Sequence, residues 1–341
     1  MSFADHKNLL SKLTAQKARN AWQAWSSYQW TQRAGNFINP PLPISLAFEP
    51  TTSCNLRCPE CPSGLRNFTR PTGMLDKDFF KEKIGEMKSH LWYLTFYFQG
   101  EPYLHPDFLH MVDFASKNKI YTATSTNAHH LDDEKAEATV KSGLDRLIIS
   151  IDGTTQDTYE QYRVGGQLEK VLEGTRNMVK WKRKLKSKTP HLIFQFLVVR
   201  PNEHQIEDAR NLAQEIGVDD IQFKTAQVYD FEEGSPLIPE NQKYSRYRLN
   251  EKGKYTLKNP LKDQCWKMWH SCVVTWDGKV VPCCFDKDAS HPMGDLKNQT
   301  MREIWNSEKY IKFRKGILTS RSSIDICKNC SEGLDVSLTH A

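Results

Sequence analysis

Ile44-Ser-Leu-Ala-Phe-Glu-Pro50, followed at once by Cys54-Asn-Leu-Arg-Cys58-Pro-Glu-Cys61, is the stretch whose reading decides the fold. The first part is a short apolar run closed by proline and reads as a strand. The second places three cysteines in a loop at that strand's C-terminal end, where α/β barrels carry their chemistry. The spacing is C-x3-C-x2-C. Three thiolates suit a cubane iron–sulfur cluster held by three irons, with the fourth iron open to a ligand. The alternative is three of four ligands to a structural zinc, which C-x2-C pairs also serve.

Outward from that loop, strands and helices alternate, as parallel βα units require. The expected strands are 45–49, Trp92–Phe98, Tyr121–Ser125, Arg146–Ile151, His191–Val199 and Asp220–Lys224. Helices are expected near 76–89, after Pro106, from Asp132 to Gly143, over 167–187 and after Arg200. Residues 4–32 read as a helix with leucines and Trp22, Trp25 and Trp30. That pattern suits a membrane-surface or partner helix, but is taken as a helix covering part of the barrel. Residues 229–264 are rich in proline, glycine and charge and read as a linker or substrate-side insertion.

Composition narrows the classes. The chain has 341 residues, 38% hydrophobic residues and a net charge of +6 from 47 basic and 41 acidic side chains. That charge is too mild to mark a nucleic-acid protein, though it suits an anionic substrate. The basic stretch Lys180–Lys188 reads as a solvated helix end. No apolar run is long enough to cross a bilayer, and no signal-peptide core is present at the N-terminus. A cytoplasmic protein is expected. Its nine cysteines then mean metal or redox chemistry rather than disulfides.

Cys54-x3-Cys58-x2-Cys61 resembles the signature of the radical S-adenosylmethionine (SAM) enzymes. The resemblance implies a partial (β/α)6 TIM-like barrel. It also implies a catalytic [4Fe-4S] cluster held by Cys54, Cys58 and Cys61, and cleavage of SAM to a 5′-deoxyadenosyl radical. Phe98-Gln-Gly100-Glu101-Pro102 resembles the family's Gly-Gly-Glu-Pro turn, with Gln99 in place of the first glycine. It places Gly100 and Glu101 at the SAM amino group. Asn127, Ser150 and Asp152, at the ends of the third and fourth strands, are expected at the ribose or carboxylate of SAM, although Asp152-Gly153 also reads as an ordinary turn. Arg163 matches a family position, and Arg200 is placed to fork onto the methionine carboxylate.

A second pattern lies near the C-terminus. Cys265-x12-Gly278-x4-Cys283, followed by Cys327-x2-Cys330, resembles the SPASM extension, or Twitch in its shortened form. It implies one auxiliary [4Fe-4S] cluster ligated by Cys265, Cys283, Cys327 and Cys330, next to a hairpin spanning 273–281. Cys284 is an alternative ligand, and Cys272 reads as a buried core residue. The alternative for the whole set is a zinc ribbon.

The expected organisation is a helical segment 1–43, a barrel core 44–228, the insertion 229–264 and an auxiliary-cluster domain 265–341. The expected function is hydrogen abstraction from a C–H bond, with net oxidation or epimerisation of a small sugar- or cyclitol-like molecule. Twitch-bearing members include an aminocyclitol dehydrogenase, and 43 residues before the barrel are too few for a complete winged-helix peptide-binding domain. The alternatives are a peptide or protein maturase and a non-catalytic zinc-stabilised binding protein. A reduced flavodoxin- or ferredoxin-like electron donor is the expected partner, with no specific nucleic acid and no membrane span.

Overall fold

The computed structural model describes residues 2–330, 332 and 333. Six strands alternate with helices: β1 (Ser45–Phe48), β2 (Tyr93–Thr95), β3 (Tyr121–Thr126), β4 (Arg146–Ser150), β5 (His191–Val198) and β6 (Asp220–Thr225). Each pairs parallel with the next. They form the arc of a partial α/β barrel. Two-sided burial explains why β4 and β5 read as nearly unbroken apolar runs. Their residues Leu147, Ile149, Leu192 and Phe194 join one core with Phe80, Ile84, Met111, Val112 and Met178 from the covering helices.

The helices begin and stop where local chemistry directs. Asp76 caps helix Lys77–Met87 by accepting from the backbone N–H groups of Asp78 and Phe79, which satisfies donors left free at a helix start. The expected single helix over 4–32 is two, Phe3–Ser11 and Ala15–Ala34. Thr14 breaks it, because its side chain accepts from Lys17 N and starts the second helix. Trp22 and Trp30 on that helix are exposed rather than packed on the barrel.

The insertion contains a small hairpin, β7 (Tyr247–Leu249) with β8 (Tyr255–Leu257). Tyr247 fastens it to the C-terminal region by donating to Asn329 Oδ1 at 2.9 Å. The extension adds β9 (Ser271–Val274), β10 (Lys279–Val281) and β11 (Gly294–Asp295). The β9–β10 hairpin does not stand apart: β9 pairs parallel with β1, register Leu46 to Cys272. Among the described residues the sheet therefore has nine strands, ordered β11-β10-β9-β1-β2-β3-β4-β5-β6. Sequence could not show this, because a hairpin's pattern does not say which edge it joins.

The basic stretch behaves as a solvated helix end. Lys180 and Lys182 pair with Asp133 and Asp219, and the Lys184 ammonium lies 3.9 Å from the Trp181 ring centroid. Among the described residues no helix is long and apolar enough to cross a membrane.

His90, at the end of helix Lys77–Met87, carries an acid-limb prediction. Burial, with Arg302 and Lys17 adding, lowers its pKa to about 4 from an ordinary 6.5. Between those values the unfolded chain binds the proton and the folded chain does not, so stability falls as pH drops from 6.5 towards 4. The full effect is about 3 kcal/mol. His90→Gln should flatten this limb in urea melts at pH 7.0, 5.5 and 4.5; an unchanged slope would refute the assignment.

Candidate active site

The C-terminal ends of β1 to β4 converge on one cavity of about 280 Å3. Cys54, Cys58 and Cys61 border it, with Gly100, Glu101, Asn127 and Ser150. The loop after β1 brings the three thiols together. It is closed by a Cys61 N–H to Cys58 carbonyl bond of 3.2 Å and continues into the short helix Pro62–Leu65.

Gly100 welds this loop to the turn after β2. Its φ is +76°, and a Cβ there would lie 2.2 Å from the Thr51 carbonyl oxygen. Its N–H donates to Ser63 Oγ at 2.8 Å, and Glu101 N–H donates to the Ser53 carbonyl at 2.8 Å. Glycine is required because the chain must run left-handed in backbone contact.

Glu101 is fully buried, and its carboxylate is held from three sides. Oε1 accepts from Thr126 Oγ1 at 2.8 Å and Tyr103 N at 3.2 Å; Oε2 accepts from Asn127 N at 2.8 Å. Burial pushes its pKa up, while those donors pull it down. Oε1 has both acceptor sites filled and Oε2 keeps one free. Asn127 Nδ2 lies 4.0 Å from Cys54 Sγ and donates to Asn55 at 2.8 Å.

Burial pushes the Cys54 thiol up to about 11, and Glu101 and the other two cysteines add to the shift. Burial also raises Cys58, but Arg163 opposes it, with Nη1 3.7 Å from Cys58 Sγ. Thiols in this setting ionise only against local positive charge, which iron supplies on binding. All three are free of disulfides. Among the described residues no three His, Cys, Asp or Glu side chains converge on a single ion; these thiols border a shared volume instead.

Two expected contacts need correction. Asp152 does not border the cavity. It sits behind the wall, pairing with Arg163 Nε at 2.5 Å and accepting from Leu197 N at 2.7 Å. Arg163 is the residue that reaches the cavity. Arg200 lies elsewhere: its Nε donates to the Ile238 carbonyl at 3.0 Å and faces Glu240 at 3.9 Å. A 3₁₀ turn, Arg200–Gln205, begins there and carries the side chain away from the strand end. Sequence reading missed Tyr97, Glu60 and Lys287, which also line the cavity. Tyr97 adjoins the glycine turn and could have been found; Lys287 is brought in from the extension by tertiary packing alone.

A second group of thiols lies in the extension. Burial pushes Cys327 up to about 11 and Cys330 up to about 12, with Cys265 raising both and Arg321 lowering both. Arg321 Nη2 donates to Cys330 Sγ at 3.2 Å. Cys283 is raised by burial, then by Cys284, Cys330 and Cys327. The four expected ligands thus lie close enough to perturb one another. Cys284 belongs to the same group, adding to the shifts of Cys283 and Cys330, and Lys267 Nζ lies 3.8 Å from its sulfur. Cys272 is buried on β9 in the main core, bordering one small cavity with Cys283 and Cys284.

Residues 48–213 match the radical SAM superfamily, and residues 265–331 match the iron–sulfur cluster-binding SPASM domain. The chain belongs to the radical SAM superfamily. As a radical SAM enzyme it uses SAM and a [4Fe-4S] cluster, and its SPASM domain implies auxiliary iron–sulfur binding. The zinc-stabilised alternative is set aside by this membership.

Several curated relatives span most of this radical SAM chain. The Pyrococcus furiosus tungsten-containing aldehyde ferredoxin oxidoreductase cofactor-modifying protein is 26% identical over 316 residues, covering 84% of this chain and 86% of its own. The PqqA peptide cyclase of Gluconobacter oxydans is 27% identical over 303 residues, covering 81% and 80%. Among solved structures, Streptococcus suis SuiB bound to its precursor peptide SuiA superposes with a TM-score of 0.62 at 13% identity, covering 92% of this chain and 73% of that one. That likeness concerns the fold.

Proposed function

We propose that this protein is a radical SAM peptide-modifying enzyme. The observation that carries the reading is the similarity to PqqA peptide cyclase across about four-fifths of both chains, over a cavity that gathers the three-cysteine loop and the Gly100-Glu101 turn. The expectation of a sugar- or cyclitol-like substrate moves to second place, since that relative acts on a peptide.

In this reading Cys54, Cys58 and Cys61 would hold the catalytic cluster. When bound, it supplies the electron that splits SAM and yields the radical that removes a hydrogen atom from substrate. The remaining work belongs to the protein's own side chains. The free acceptor site on Glu101 Oε2 would accept from the SAM ammonium. Gly100 lets the backbone approach, and Asn127 and Ser150 offer polar atoms along the same wall. Arg163, anchored by Asp152, keeps positive charge beside Cys58. Phe98 and Tyr162 contribute apolar wall, which limits water near the reacting carbon. Cys265, Cys283, Cys327 and Cys330 would hold the auxiliary cluster, with Cys284 the alternative to Cys283. A reduced flavodoxin- or ferredoxin-like protein is the proposed electron donor.

The test is 5′-deoxyadenosine release from reconstituted, reduced protein given SAM, with the Cys58→Ala protein as blank. A pooled synthetic peptide library should raise release several-fold over protein and SAM alone. A pool of sugars and aminocyclitols should not. Stimulation by the second pool alone would return the small-molecule reading.

A further inference from the structure

Four charged side chains border the cavity, Glu60, Glu101, Arg163 and Lys287, and three of them are engaged inside the fold. Glu101 accepts from Thr126, Asn127 and Tyr103. Arg163 pairs with Asp152. Glu60 accepts from Tyr229 N at 3.0 Å. The Lys287 ammonium is different: among the described residues it makes no hydrogen bond and no ion pair. It lies over a ring face, with Nζ 4.8 Å from the Tyr229 centroid, and near enough to Glu60 to pull that carboxyl's pKa down against its burial. Tyr229 is 44% exposed, which puts this contact at the cavity's rim.

The backbone that carries Lys287 is held on both sides. Its carbonyl accepts from Arg70 Nε at 3.1 Å. The two Nη atoms of Arg70 grip Glu49 at 2.9 and 2.5 Å, and Glu49 is fully buried and also accepts from Trp276 N at 3.2 Å. Asp288 accepts from Thr69 N at 2.9 Å, from Arg70 N at 3.3 Å and from the Thr69 hydroxyl. Asp286, also buried, accepts from Ser290 N at 2.7 Å and His291 N at 2.9 Å. Both neighbouring carboxylates are therefore committed to other groups, and neither pairs with the ammonium. The loop is fixed; the Lys287 side chain is not.

An ammonium on a cavity wall that no carboxylate hydrogen-bonds, with Glu60 near enough only to feel its charge, keeps its donors for an anion. The chemistry that answers it is a carboxylate, which accepts a charge-assisted hydrogen bond from lysine. We propose that Lys287 selects substrate by binding a carboxylate of the peptide entering the cavity, either an Asp or Glu side chain or the C-terminus. This inference rests on the peptide reading above. It gives the SPASM extension a direct part in choosing substrate, because Lys287 comes from the extension while the thiol loop and the Glu101 turn come from the barrel.

Selection of random dodecapeptides on the reconstituted, SAM-loaded protein tests this, using free-acid and C-terminally amidated libraries. Wild type should enrich an acidic residue at one position, or, if the C-terminus is the ligand, lose enrichment on amidation. Lys287→Gln should weaken the selected peptide about ten- to a hundredfold, the range for a charge-assisted hydrogen bond, and leave SAM affinity unchanged. Lys287→Glu should turn the preference to Lys or Arg, an inversion that a merely structural role would not produce. An acidic preference kept in Lys287→Gln overturns the proposal and leaves the peptide reading standing. A fall in SAM affinity in Lys287→Gln overturns it by assigning the ammonium to SAM. No enrichment on SAM-competent wild type overturns the peptide reading and this inference together.

Discussion

Gly100→Ala should destabilise the protein by about 3–5 kcal/mol, the range of the severe single-site mechanisms. Two costs combine. A left-handed residue with a Cβ costs about 1–2 kcal/mol on its own. The added methyl would also meet two backbone carbonyl oxygens, Thr51 at 2.2 Å and Ser53 at 2.8 Å, and backbone cannot swing aside as a side chain can. Those carbonyls lie on the segment that leads into Cys54, so relief of the clash moves the thiol loop away from Glu101. SAM affinity should therefore fall together with stability. Gly85→Ala is the internal control. Gly85 sits in helix Lys77–Met87 with open space where its Cβ would be, so alanine there should stabilise by about 0.5–1 kcal/mol. Urea melts and SAM titration read both. A loss under about 1 kcal/mol at Gly100 would mean the weld between the two loops is loose.

The same glycine shows what sequence made legible. Cys54, Cys58, Cys61, Gly100 and Glu101 stand in short runs directly after strands, where the βα pattern already puts a site, so local reading brings them together. The period of β1 to β6 follows from burial on both faces, and burial is written in composition. Arg200 and Asp152 fail for one shared reason. A strand's end marks where a residue starts, not where a long or hidden side chain finishes. Arg200 leaves on a 3₁₀ turn, and Asp152 turns behind the wall to hold Arg163. Lys287 was invisible because its position depends on Asp288 meeting the Thr69–Arg70 backbone, a contact between segments more than two hundred residues apart. The merging of β9 with β1 was hidden likewise, since edge pairing is settled by tertiary packing.

Arg163→Met should cost about 3–5 kcal/mol, because it leaves the Asp152 carboxylate buried without its counter-charge. In the native fold burial pushes the Asp152 pKa up, and Arg163 is the largest influence pulling it back. Without the guanidinium the carboxyl rises further and takes up a proton nearer neutral pH. A carboxyl whose folded pKa exceeds its unfolded value binds more protons folded than unfolded, so the variant should lose stability as pH rises through that folded value. Asp152→Asn in the same protein removes the charge and with it this added pH dependence. The double variant should thus be more stable than Arg163→Met alone at pH 8, and the gap should close towards pH 5. One loss would remain in the double variant. Arg163 also faces Cys58 Sγ at 3.7 Å, so the thiol should ionise less readily and iron incorporation at the three-cysteine loop should fall in both variants. Stability recovering while iron loading does not would separate the two duties of this guanidinium. If both recover together, Arg163 serves only to neutralise Asp152.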